Sequence, residues 1–184
     1  MAGKEQTRQH ILDTSLRLFV QNGYGSTTIR DIAAEARISV GLLFHYFDSK
    51  PALLEAHVKS AASGIDTALE MLESDGAALE IFGAIAEMTM AGLGNPTARL
   101  WYALVNQPLP ADVVEAHLRG EELITRSAAV ISRGQASGEI RPGNPYSLAM
   151  AFWGAVQGSA LMLVGVEEVP APEAAWLLGI LKPE

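Results

Sequence analysis

The 184-residue chain contains no cysteine. Disulfides, thiolate catalysis and cysteine-ligated zinc are therefore excluded at once. Charge is scarce too, at 18% of residues against 49% hydrophobic. That balance argues against disorder and for a globule with more apolar surface than a monomer easily hides, so self-association is expected. The opening "MAGKEQTRQHIL" carries charges and lacks an apolar run, so no secretory leader is expected. Enzyme signatures are missing as well: there is no Glu-x-x-His pair, no HExxH and no phosphate loop. His117 and Glu121, one helical turn apart, make two ligands and not a site. No enzyme, cofactor or metal is expected.

Segments alternating with period two are absent, so no strand is predicted, and there is no internal repeat. What remains is helical periodicity. Ile11, Leu12, Leu16 and Phe19 share one face of a helix over 5–22, which Gly23 and Gly25 terminate. Thr28, with Asp31 three positions on, has capping-box spacing for a short helix bearing Ile29, Ile32, Ala33 and Ala36 inward. Ser39 caps another over 40–46. Pro51 is tolerated in the first turn of a longer helix reaching Leu72. Further helices are expected over 76–91, 96–106, 111–137, 145–163 and 172–181, about nine in all. The fold class is all-α.

Net charge is −8 but unevenly placed. Residues 1–50 hold six basic against five acidic residues, or +1, and the rest seven against sixteen, or −9. Only the first segment suits a polyanion. Within it, "ARISVGLLFHYF" has more apolar side chains than one face of a short helix buries. Two short helices joined by a tight turn behind a supporting helix make a helix-turn-helix. In that geometry Leu43 and Phe47 face a small core, and the other face of the second helix meets DNA.

Residues 8–54 carry a closer likeness. The positions of Phe19, Gly23, Tyr24, Thr27, Thr28, Ile32, Ala33, Ser39, Gly41, Phe47 and Lys50 resemble the N-terminal signature of the tetracycline-repressor-like family of bacterial transcriptional regulators. The resemblance implies a helix-turn-helix DNA-binding domain, residues 1–48, followed by a helical effector-binding and dimerisation domain, residues 49–184. It implies DNA contacts by Thr28, Ser39, Val40, Gly41, Leu42, Phe44, His45 and Tyr46, with Lys50 paired to a phosphate. Two positions depart from the pattern. Phe44 stands where the family commonly has Tyr, so a phosphate contact there passes to Tyr46. Arg37 stands where the family often has Gly, and a left-handed backbone would strain it by roughly 1 kcal/mol.

The uncharged run 147–166 is long enough to span a membrane and contains a GxxxG pair, Gly154 and Gly158. It begins after a Pro-Gly-Asn-Pro turn and includes Gln157, and the resemblance implies a different use: the last two helices pair across a two-fold axis. Gly154, Ala155, Gly158 and Ala160 then permit close approach, while Leu161, Trp176, Leu177 and Ile180 supply apolar area. The resemblance also implies a cavity for a small, mainly apolar or aromatic effector. Phe82, Trp101, Tyr102, Trp153, His117 and Gln157 are its candidate lining, with Asn106 and Gln107 as further polar groups.

The sequence thus predicts a cytoplasmic, homodimeric regulator, a repressor of double-stranded operator DNA released by a small molecule, with no membrane partner. A ligand-insensitive DNA-binding module and a helical enzyme are the alternatives.

Overall fold

A computed structural model of the chain describes residues 2–166 and 168–183, with the side chains of 2 and 114–116 left aside. Among the described residues the chain forms ten helices: α1 (Ala2–Asn22), α2 (Ile29–Glu35), α3 (Val40–Tyr46), α4 (Lys50–Leu72), α5 (Ala78–Gly92), α6 (Pro96–Val105), α7 (Ala111–His117), α8 (Gly120–Ala136), α9 (Pro145–Met162) and α10 (Ala174–Gly179). No strand occurs among them. No helix there is long and apolar enough to cross a membrane.

The chain divides into two compact units. The first comprises Met1–Ala61 and Leu100–His117. Its interior is built from the periodic apolar residues of its helices: Ile11, Leu16, Phe19, Ile32, Leu43, Leu53, Leu54, Val58 and Leu104 are all fully buried. The second comprises Ala62–Arg99 and Leu118–Glu184. There Phe82 and Phe152 meet edge to face at 5.0 Å, and Phe152 meets Trp153 at 5.4 Å. α4 and α6 each continue from one unit into the other.

Two departures from the expected helices have a visible structural cause. The single helix expected over 111–137 is two, because the chain breaks at Arg119, whose φ of −87° and ψ of 46° are not helical. Gly120 follows, and the Arg119 guanidinium pairs with Glu122 at 2.6 Å and Asp66 at 3.2 Å, which fixes the break. His117 and Glu121 are consequently on different helices; His117 lies 3.7 Å from Glu55 instead. The last helix is shorter than 172–181, ending where the Ile180 and Leu181 amides close turns onto Leu177 and Leu178.

Candidate nucleic-acid interface

The interface is held from behind by the turn between α1 and α2. Gly23 adopts φ +83°, a conformation that disfavours side chains, and so lets α1 stop. Thr27 is buried and donates its hydroxyl to the Gly23 carbonyl at 2.9 Å. The Lys50 ammonium, at the start of α4, donates to the carbonyls of Tyr24 at 2.7 Å and Thr27 at 2.8 Å, with Gly25 at 3.4 Å. It also sits 4.3 Å above the Tyr24 ring, a cation–π contact. Lys50 therefore ties the start of α4 to the turn that aims α2. The ammonium is thus engaged by three carbonyls of that turn.

Thr28 caps α2 in the predicted box: its oxygen accepts from the Asp31 amide at 3.2 Å, while the Thr28 amide donates to the Asp31 carboxylate at 2.8 Å. The Thr28 hydroxyl also donates to that carboxylate, at 2.7 Å. These bonds hold the Asp31 carboxyl below its ordinary value. The group expected to greet a phosphate thus already faces an anion on the same side chain pair.

α2 ends in a Schellman motif. The Ile38 amide donates to Ala33 at 3.0 Å and the Arg37 amide to Ala34 at 3.1 Å, with Arg37 left-handed at φ 55°. This is the conformation the Gly-to-Arg departure warned of. It makes the crossing to α3 sharp. Ser39 caps α3, accepting from the Leu42 amide at 3.1 Å. Leu43 and Phe47 turn inward, 0% and 6% exposed, and the Arg8 guanidinium covers the Phe47 ring at 5.2 Å. The rest of the helix surface is open: Val40, Leu42 and Phe44 are 37%, 38% and 46% exposed. Ser39, Gly41 and His45 are exposed beside them, and the half-buried Tyr46 meets His45 edge to face at 5.3 Å.

One buried group behind this face was not singled out from sequence. His57 is 3% exposed and bonds the buried Ser15 hydroxyl through Nε2 at 2.9 Å. Burial lowers its pKa from 6.5 to about 4. Its apolar surroundings, rather than any motif, give it this role.

The residues expected to line an effector cavity fall in both units. Trp101, Tyr102 and His117 belong to the first, where burial pushes the Tyr102 phenol upward and the Trp101 Nε1 is buried without a hydrogen-bond partner. Phe82, Trp153 and Gln157 belong to the second. There Phe82 is fully buried in the aromatic cluster, the Trp153 Nε1 donates to Ser127 at 2.9 Å, and Gln157 is exposed. An open hollow of about 480 Å³ in the second unit is lined by 118–122, 125 and 126 and includes none of the six. Of the residues expected at a dimer seam, Gly154, Gly158, Leu161 and Trp176 are exposed, the last at 76%. Ile180 is half-buried, and Leu177 is buried within its own unit.

A short helix capped at both ends, crossed by a second whose inner face is sealed and whose outer surface is bare, defines a helix-turn-helix, the motif that in DNA-binding proteins sets its second helix in the major groove. Residues 11–57 match the model of bacterial regulatory proteins, tetR family. The likeness to that family read from the sequence is thus shown over this N-terminal segment. It is 29% identical over 165 residues to the transcriptional regulator AcrR of Shigella flexneri, covering 73% of this chain and 76% of that protein. Three other curated bacterial regulators match over 44 to 69 residues, so the chain spans only 15% to 36% of their lengths. The fold is similar to that of the MbdR regulator from Azoarcus sp. CIB, with TM-score 0.76 at 24% identity over 95% of this chain and 96% of that one. AibR, solved with isovaleryl coenzyme A and operator DNA, superposes with TM-score 0.68 at 17% identity over 94% of each chain.

Proposed function

We propose that this protein is a cytoplasmic transcriptional repressor that binds a palindromic operator as a homodimer and leaves it when a small, mainly apolar or aromatic effector binds. The observation that carries the reading is the bare outer face of α3, set on a helix-turn-helix whose inner face is fully buried. Ser39, Val40, Gly41, Leu42, Phe44, His45 and Tyr46 form the DNA-reading set, with Thr28 beside them. Residues 1–48 are the reading domain and 49–184 the effector and dimer domain, a functional division distinct from the compact units.

The dimer seam is assigned to α9 and α10. Tyr146, Met150, Leu161, Met162 and Trp176 are exposed apolar side chains on these two helices, and Gly154 and Gly158 are exposed beside them. Apolar area of this kind is stabilised by burial at about 25 cal/mol per Å², which favours a second copy over water. Effector control follows the precedent of AibR, which was solved with both isovaleryl coenzyme A and operator DNA. α4 runs unbroken through both units, so a ligand acting on its second half has a covalent path to the residues around Lys50. A coupling of about 1–3 kcal/mol changes DNA affinity roughly 5- to 150-fold.

The test begins with selection of duplexes from random DNA by the full chain. A palindromic consensus whose binding weakens steeply with salt is expected. Failure to enrich any duplex refutes the reading. Sedimentation of the wild type and Gly158→Glu tests the seam: a wild-type dimer and a monomeric variant without DNA affinity are expected, and a monomeric wild type at micromolar concentration refutes it. Titration of a metabolite library against tryptophan fluorescence, with and without the selected duplex, tests control. Binders whose affinity is identical in both states refute release by effector and leave a ligand-insensitive module.

A further inference from the structure

The reading helix α3 has the sequence VGLLFHY and holds no Arg, Lys, Asn, Gln, Asp or Glu. The paired hydrogen bonds that guanidinium groups make to guanine, and amides to adenine, are therefore not available from it. Its outward side chains are instead large and apolar. Val40 is 37%, Leu42 38% and Phe44 46% exposed, although Leu43 and Phe47 already fill the inner face. Val40 and Leu42 lie in the first turn, the end of a recognition helix that meets base edges.

Gly41 stands between them. A Cβ added there meets nothing nearer than the Ser39 Oγ at 4.0 Å, so no neighbour within the protein requires glycine. Glycine weakens a helix, and its presence here leaves the backbone open to close approach from outside. The flanks suit a polyanion: Arg30 and Arg37 are exposed and stand in no ion pair among the described residues. The major groove presents one apolar group to such a face, the C5-methyl of thymine.

We infer that α3 reads its half-site chiefly through thymine methyl groups, met by Val40, Leu42 and Phe44, with His45 and Tyr46 supplying the polar contacts at its far end. The inference rests on the DNA-binding function proposed above and specifies the chemistry that face recognises. Contact is made by burial of methyl against side chain, so sequence preference lies in T·A placement and not in guanine hydrogen bonding.

The experiment uses the full chain and a duplex it has itself selected. Each thymine of the half-site is replaced singly by deoxyuridine, which keeps base pairing and removes only the methyl. Contacted positions should lose affinity about four-fold each, the equivalent of one buried methyl-sized group. In Leu42→Ala, with folding followed by thermal melting, the uracil penalty should vanish at one position and persist at the others. Deoxyuridine replacement that leaves affinity unchanged at every position overturns the inference while DNA binding itself stands. Failure to select any duplex overturns both.

Discussion

Lys50→Met separates two roles that the same residue is able to play. The substitution keeps the apolar stem and removes the ammonium. Two short bonds, to Tyr24 at 2.7 Å and Thr27 at 2.8 Å, are lost with the contact to the Tyr24 ring. A hydrogen bond to a charged group contributes about 1.5–3 kcal/mol, and partial exposure of this one lowers the sum for the pair to about 2–4 kcal/mol. At about 2–4 °C per kcal/mol for a chain of this size, melting should fall by about 4–16 °C. Salt dependence is the discriminating measurement. A lysine on a phosphate contributes about 0.9 to the slope of log affinity against log salt, so a dimer losing two would show a slope shallower by about 2. Since the ammonium is engaged by carbonyls, the slope measured below the melting range should stay as in the wild type. An unchanged melting temperature together with a shallower slope refutes the internal role and returns Lys50 to the phosphate.

Arg37→Gly should stabilise the protein by about 1 kcal/mol, because glycine adopts φ 55° without strain; a lowered melting temperature would mean that the arginine side chain has its own partner. Gly134→Ala should destabilise it by about 1–3 kcal/mol despite the better helix propensity of alanine, since the new Cβ falls 2.6 Å from Ala78 Cβ and 2.8 Å from Ile140. Denaturant unfolding measures the change, and wild-type stability would contradict the packing. Acid should weaken the native state through His57, whose pKa of about 4 lies below the ordinary 6.5. The unfolded chain takes up that proton first, so stability should fall by about 3 kcal/mol in total as pH drops from 6.5 to 4, with no further loss from this group below that. His57→Gln should flatten this part of the profile, and an identical pH dependence in both proteins excludes His57 as its cause.

The reading half of the molecule was legible because its punctuation is local. Gly23, the Thr28–Asp31 spacing and Ser39 each act within four residues, and α1, α2 and α3 begin or end where those residues place them. The internal bonds of Lys50 were illegible for the opposite reason. Its acceptors lie 23 to 26 residues away, and nothing at that separation distinguishes a lysine facing a phosphate from one facing carbonyls. Thr28 shows a subtler limit: the spacing revealed the cap but not that the Asp31 carboxylate would also accept a hydrogen bond from the hydroxyl. The break between α7 and α8 was hidden because Arg119 is an ordinary helix former. It stops there through pairing with Asp66, 53 residues away. Arg99 was equally unreadable. It is 7% exposed and joins the ends of α5 and α9 by donating to Leu93 at 2.6 Å and Val166 at 2.6 Å, a bond across 67 residues.

The exposed stripe of α9 also has a chemical consequence. Met150 and Met162 are 64% and 80% exposed, whereas Met90 in the core is 5% exposed. Peroxide reaches accessible thioethers first and turns each into a polar, chiral sulfoxide. Oxidative damage should therefore register on the surface assigned to self-association while the helical core is still intact, and a partner seated there would act as a shield.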